Sequence, residues 1–147
     1  MKQHAIEINQ NTIAFLKNMQ HDILNLDDVK QLVNTFYGKV RENEMLAPIF
    51  NEHIENRWSE HLEKMYRFWQ TVLLDEHTYY GAPFPPHARL AVKHEHFEKW
   101  LQLFNQTVDE LFVGEKADEA KWRGQKMAQM FEIKIELYRR SDVKPLI

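Results

Sequence analysis

Four side chains pose the chemical question in this sequence: Tyr37, His61, His87 and Trp100. His87 sits in the run GAPFPPHARL, directly behind Pro85 and Pro86. Proline locks φ, removes a backbone donor and restricts the residue before it, so three prolines in so short a run make a stiff, non-helical lead. His87 sits where that lead ends, and backbone rigidity fixes its position before any side chain packs against it. His61 lies among apolar residues at helical spacing. Tyr37 and Trp100 occupy the middle of similar stripes, where backbone carbonyls are already engaged, yet a buried phenol or indole N–H still needs an acceptor. One buried polar ligand would satisfy several of these groups at once. Two readings stand side by side. A histidine on a rigid lead suits a metal or haem-iron ligand. A lone histidine on a helix seam or in a loop is more often an ordinary core or loop residue, and aromatics at helical spacing are usually core.

The elements that must position these residues read as helices. Val29, Leu32, Val33, Phe36, Tyr37 and Val40 form a helical stripe over 27–43, with Asn25 or Asp27 as its N-cap. Pro48 is expected to end any continuation, leaving LAPIF as a turn or a single helical turn. Trp58, His61, Leu62, Met65, Trp69, Val72 and Leu73 repeat the pattern over 56–74. Residues 75–86 read as a loop and 87–93 as one or two turns. A third strong helix spans 95–113 through Phe97, Trp100, Phe104 and Val108, with Gly114 as its stop. A fourth spans 116–140, with Met127, Met130, Phe131, Ile135 and Tyr138 turned inward. Residues 1–24 read as a helical or partly ordered extension with a thin stripe of Ile13, Leu16 and Met19. Strand signals are nearly absent, so the fold class is all-α, with one domain over 25–147 behind that extension.

Composition narrows the function. Nineteen basic and 22 acidic residues give a net charge of −3, which offers no electrostatic footprint for nucleic acid or for an acidic membrane surface. No cysteine is present, which removes disulfides, thiolate nucleophiles and iron–sulfur clusters. No apolar run is long enough for a membrane span, and the N-terminus has no signal-peptide core, so a cytoplasmic protein is expected. His94 and His96 are spaced i, i+2, which does not align them on one helical face, and they read as solvent-facing. His4, His21, His53 and His77 carry no usable pattern.

Taken in order, several stretches resemble the group III truncated haemoglobins of bacteria. TFYGKVRENEMLAPIF (35–50) resembles that family's second helix and the turn after it. RWSEHLEKMYRFW (57–69) resembles its distal helix. The proline-framed His87, followed by HFEKWLQLF (96–104), resembles its proximal segment and next helix. The likeness covers roughly residues 26–140. It implies a truncated globin fold around haem b, with His87 as the proximal iron ligand. It implies a distal side lined by Tyr37, His61 and Trp100, with His61 as a candidate sixth ligand. Phe36, Phe50, Met65 and Phe68 would lie near the porphyrin. Arg89, with Arg57 and Tyr80, is a candidate for the propionates.

The resemblance gives the opening histidine a purpose. A five-coordinate haem needs one imidazole on one face, its other N–H fixed by a carbonyl or carboxylate. Tyr37 and Trp100 would then donate to a polar diatomic ligand on the other face, with charge-assisted bonds worth roughly 1.5–3 kcal/mol each. Tight holding favours oxygen, nitric oxide or peroxide chemistry over bulk oxygen transport. Enzymatic turnover would need an external reductase, since no flavin or nicotinamide motif is present. A haem-based sensor or haem-binding interaction module is the alternative of another class, and a cofactor-free helical interaction domain is the plainest one.

Overall fold

Six α-helices and one 3-10 turn make up the computed structural model, which describes residues 9–141: α1 (Gln10–Asn18), α2 (Leu26–Glu42), α3 (Ala47–Ile54), α4 (Trp58–Leu74), α5 (His94–Leu111) and α6 (Glu115–Arg140), with the turn at Pro85–His87. No strand occurs among the described residues. α2 packs on α4 and α5, and α5 packs chiefly on α6.

The apolar stripes face one another as their periodicity requires. Leu32, Val40, Leu73, Phe104 and Val108 are almost wholly buried. Phe104 organises the centre. Its ring stacks on Trp100 at 5.4 Å and on Trp69 at 5.0 Å, and meets Phe36 edge to face at 5.3 Å. Gly124 admits this stack against α6, since a Cβ there would sit 3.0 Å from the Phe104 ring. Truncating such a ring costs about 3–5 kcal/mol.

Local chemistry explains the helix ends, and here several expectations change. Asn25 is the N-cap of α2, its side-chain oxygen accepting from the Asp28 N–H at 3.0 Å. Pro48 does not stop a helix; it sits in the first turn of the eight-residue α3, where a missing N–H costs nothing. Gly114 does not stop α5, which ends at Leu111, but precedes α6 with φ 137°. Its missing side chain makes room for Asp22. That carboxylate accepts from the Lys116 and Ala117 N–H groups at 2.9 and 2.8 Å, capping α6 from far away in sequence. A Cβ at position 114 would lie 2.5 Å from the Asp22 carboxyl carbon.

Two expected inward residues of α6 are turned out. Met130 and Tyr138 are about half exposed, because a helix of 26 residues carries more apolar side chains than its single buried face can hold. Met19 lies beyond the end of α1 and is exposed. The Leu16 side chain lies outside the described ones. Residues 88–93 add no further helix, so His87 closes its turn and the chain runs irregularly into α5.

Candidate functional site

A cavity of about 850 Å³ lies between α2, α3, α4, the 78–87 segment, α5 and α6. That volume falls at the upper end of pockets that enclose a small organic ligand. Tyr37, Phe36, Phe50, His61, Met65, Phe68, His87 and Trp100 all line it. The fold therefore brings together residues scattered from 36 to 100. Arg89 is the exception: it is exposed and stands outside the lining, because the turn that presents His87 directs the residue two places on toward solvent.

His87 owes its geometry to the proline lead. Pro85 and Pro86 form a 3-10 turn with it, with the His87 N–H bonded to the Phe84 carbonyl at 2.7 Å. The His87 Nδ1 lies 2.6 Å from the Pro83 carbonyl oxygen. A carbonyl only accepts, so Nδ1 carries the proton and donates, and Nε2 is left as a bare lone pair. The neutral form is favoured further by burial, which lowers the pKa; the Pro83 bond opposes that effect and a nearby His53 adds to it. Phe131 from α6 supports the ring at 4.8 Å. A neutral, oriented imidazole with one free nitrogen is what a metal ligand requires.

A second set of groups collects on α2, α4 and α5. The Tyr37 ring meets His61 edge to face at 5.0 Å, and touches Trp58 and Phe50 at 5.9 and 6.0 Å. Burial pushes the Tyr37 phenol well above its ordinary pKa, so it remains an O–H donor. Burial also lowers His61 to about 4, with small contributions from His87, His53 and Lys64. Among the described residues, no side-chain hydrogen bond engages the Tyr37 hydroxyl or the Trp100 indole N–H. The His61 Nε2 is buried with no partner at all. An unpartnered buried polar atom costs about 1–3 kcal/mol, so the His61 Nε2, with two unengaged donors lining the same cavity, points to a ligand that satisfies it.

The rim is mixed in charge. Arg57, at the N-cap of α4, and Lys64 and Arg67 within it line the rim beside Glu60 and Glu63. Arg57 donates to the His53 carbonyl at 2.9 Å, and Arg67 is held by Glu63 at 2.9 Å. Lys64 has only a long contact to Glu60 at 3.5 Å, between two exposed groups, and is free to meet an acid. Tyr80 lines the opposite edge.

Residues without a sequence signal also belong to the site. His53 lines the cavity from the last turn of α3, a helix the pattern around Pro48 concealed. His96 is half-buried and lines it too, in place of the expected solvent-facing position. Its Nδ1 accepts from the Lys93 N–H at 2.8 Å, which pins the ring at the start of α5 and leaves Nε2 as a donor. His94 stays exposed and bonds to Glu132 at 2.8 Å. Glycine and proline flag the Pro83 carbonyl's neighbourhood, but no residue type announces a backbone acceptor.

The residues fit a haem. One oriented imidazole lines the cavity with two unengaged donors and an imidazole nitrogen without a partner, and aromatic and aliphatic walls suit a flat apolar ring. Comparison with known proteins agrees. The model of the family described as bacterial-like globin matches residues 18–135. A group 3 truncated haemoglobin of Campylobacter jejuni is 34% identical over 118 residues, covering 78% of this chain and 93% of that protein. The crystal structure of a group III truncated haemoglobin from the same organism superposes with a TM-score of 0.73 at 33% identity. That match covers 80% of this chain and 95% of the other.

Proposed function

The chain belongs to the bacterial-like globin family, and from that premise we propose that it holds haem b in this cavity through His87 and binds a diatomic gas beside Tyr37, His61 and Trp100. The carrying observation is the unpartnered buried Nε2 of His61 opposite a His87 whose Nδ1 is already committed to the Pro83 carbonyl.

When bound, the haem would supply an iron able to bind a small diatomic ligand. This chain's residues do the rest. The Pro83 carbonyl holds the proton on His87 Nδ1 and presents Nε2. The Tyr37 hydroxyl and Trp100 indole are donors beside mainly apolar walls, where a hydrogen bond to a charge-separated ligand is stronger than in water. His61 stays neutral at pH 7 because burial lowers its pKa, so it acts as a tautomer-dependent donor or acceptor. It is also the candidate for a sixth coordination position. Arg57, expected from the sequence, and Lys64 line the cavity and are the cations for the acid groups of the porphyrin, with Tyr80 also in the lining, whereas Arg89 stands outside it.

Two donors aimed at one ligand slow its release, which suits oxygen, nitric oxide or peroxide chemistry supported by an external reductase better than oxygen delivery. In this reading the globin domain begins at residue 25 and the chain before it is an extension; residues 1–8 and 142–147 of these two spans lie outside the described residues. Among the described residues no helix is long and apolar enough to cross a membrane.

An absorption spectrum of the haem-supplemented protein tests the reading. A Soret band that shifts when carbon monoxide is added to the reduced protein supports it. Aromatic absorption alone, after titration with haem, removes it.

A further inference from the structure

The chain between α4 and α5 runs from Asp75 to Lys93 with only one 3-10 turn, and it carries His87. Long irregular segments are where conformational multiplicity lives, so holding an imidazole in one place needs an anchor outside the segment. Prolines stiffen its last part, but they do not place it in space.

Thr71, in the last turns of α4, does that. Its hydroxyl donates to the Arg67 carbonyl at 2.8 Å. The same oxygen accepts from the Thr78 N–H at 3.0 Å and from the Tyr79 N–H at 2.9 Å. A threonine hydroxyl has one proton and two lone pairs, so all of its capacity is spent on this junction. The buried Gln70 reinforces it, accepting from the Thr78 hydroxyl at 2.8 Å. From there the geometry passes along packed groups. The Tyr79 ring meets Phe68, a wall of the cavity, edge to face at 5.4 Å. Its hydroxyl rides over Gly81, where a Cβ would lie 3.4 Å from it. The next anchored point is the Pro83 carbonyl, which holds His87 Nδ1.

We propose that Thr71 is a positioning residue for the His87 imidazole, acting through the 78–83 segment and the Pro83 carbonyl. The inference rests on the reading of His87 as the iron ligand. Far-side support comes from α6, where Arg139 donates to the Leu90 and Val92 carbonyls, so the histidine segment is fastened at both ends. Thr71→Val keeps the shape of the side chain but orphans two backbone donors; Thr71→Ser keeps the hydroxyl and loses only a methyl group.

The test uses the haem-reconstituted, reduced protein and two readouts that do not depend on turnover. Resonance Raman reports the iron–histidine stretching band, and hydrogen exchange reports the amides of Thr78 and Tyr79. In Thr71→Val those amides should exchange about tenfold faster, the scale of one ordinary hydrogen bond lost. The iron–histidine band should shift or split beyond the wild-type line width, and Thr71→Ser should restore both. Faster exchange with an unmoved band would overturn the proposal, since the anchor would then be local. Unchanged exchange would overturn it as well. His87→Gly separates the underlying reading: loss of the band there, with an unmoved band in Thr71→Val, sinks the Thr71 proposal alone, whereas a band that survives His87→Gly sinks both.

Discussion

The rings of Tyr37 and His61 meet edge to face, 5.0 Å between centroids and 89° between planes, although α2 and α4 are separated by a whole helix in the chain. Among the described residues no hydrogen bond engages the phenol O–H, and the His61 Nε2 is buried without a partner. Both residues line the cavity, and the proposed ligand would meet these two groups there.

Donor removal gives the most direct test of that arrangement. Tyr37→Phe and Trp100→Phe should each speed oxygen dissociation by roughly ten- to a hundredfold, following from the loss of about 1.5–3 kcal/mol of charge-assisted hydrogen bonding. Flash photolysis or stopped-flow displacement measures the rates. Unchanged rates in both variants would show that neither donor faces the ligand.

On the proximal side, His87→Ala should release haem or retain it only with added imidazole. The variant keeps the proline turn, so its fold should persist by circular dichroism. Haem retention at wild-type strength without imidazole would take the ligand role away from His87.

Acid sensitivity follows from the buried histidines. The haem-free folded chain holds His61 at about 4 against an ordinary 6.5, and His87 is shifted in the same direction. Above 6.5 neither the folded nor the unfolded chain binds the proton. Between 6.5 and 4 the unfolded chain takes up protons that the folded chain refuses, so stability falls as pH falls. The His61 share is at most about 3 kcal/mol, and less where water reaches the ring. Urea unfolding at pH 7 and pH 5 should show a smaller loss in His61→Leu than in wild type; equal losses would rule His61 out as the sensor.

Asp22 offers a stability test far from the cavity. Asp22→Ala removes the cap on the Lys116 and Ala117 N–H groups and should cost about 1–2 kcal/mol. Gly114→Ala should cost at least as much, since its new Cβ meets the Asp22 carboxyl and its φ of 137° disfavours a side chain. A urea midpoint within error of wild type for both would mean that α6 starts without this clamp.

What could be read in advance follows a physical division. Periodicity located α2, α4, α5 and α6, because burying one face of a helix imposes a spacing that tertiary context does not alter. The ends were less legible. Proline and glycine each signal a boundary without its direction, so Pro48 read as a stop where it begins α3, and Gly114 read as the end of one helix where it precedes the next. Arg89 illustrates a second limit, since adjacency in sequence to His87 does not survive a 3-10 turn that sends the two side chains different ways.

The residues alone are enough to say that this chain is helical, that its stripes carry donors at Tyr37 and Trp100, and that His87 follows a stiff proline lead. These are properties of single residues and of spacing along one helix. Which polar groups go unpaired and which find each other emerges with the packed helices: His61 Nε2 left alone, His87 Nδ1 on Pro83, Thr71 on Thr78 and Tyr79, Asp22 on α6. Hydrogen bonds are short-ranged and directional, so their partners are fixed only after apolar burial has set the distances between helices.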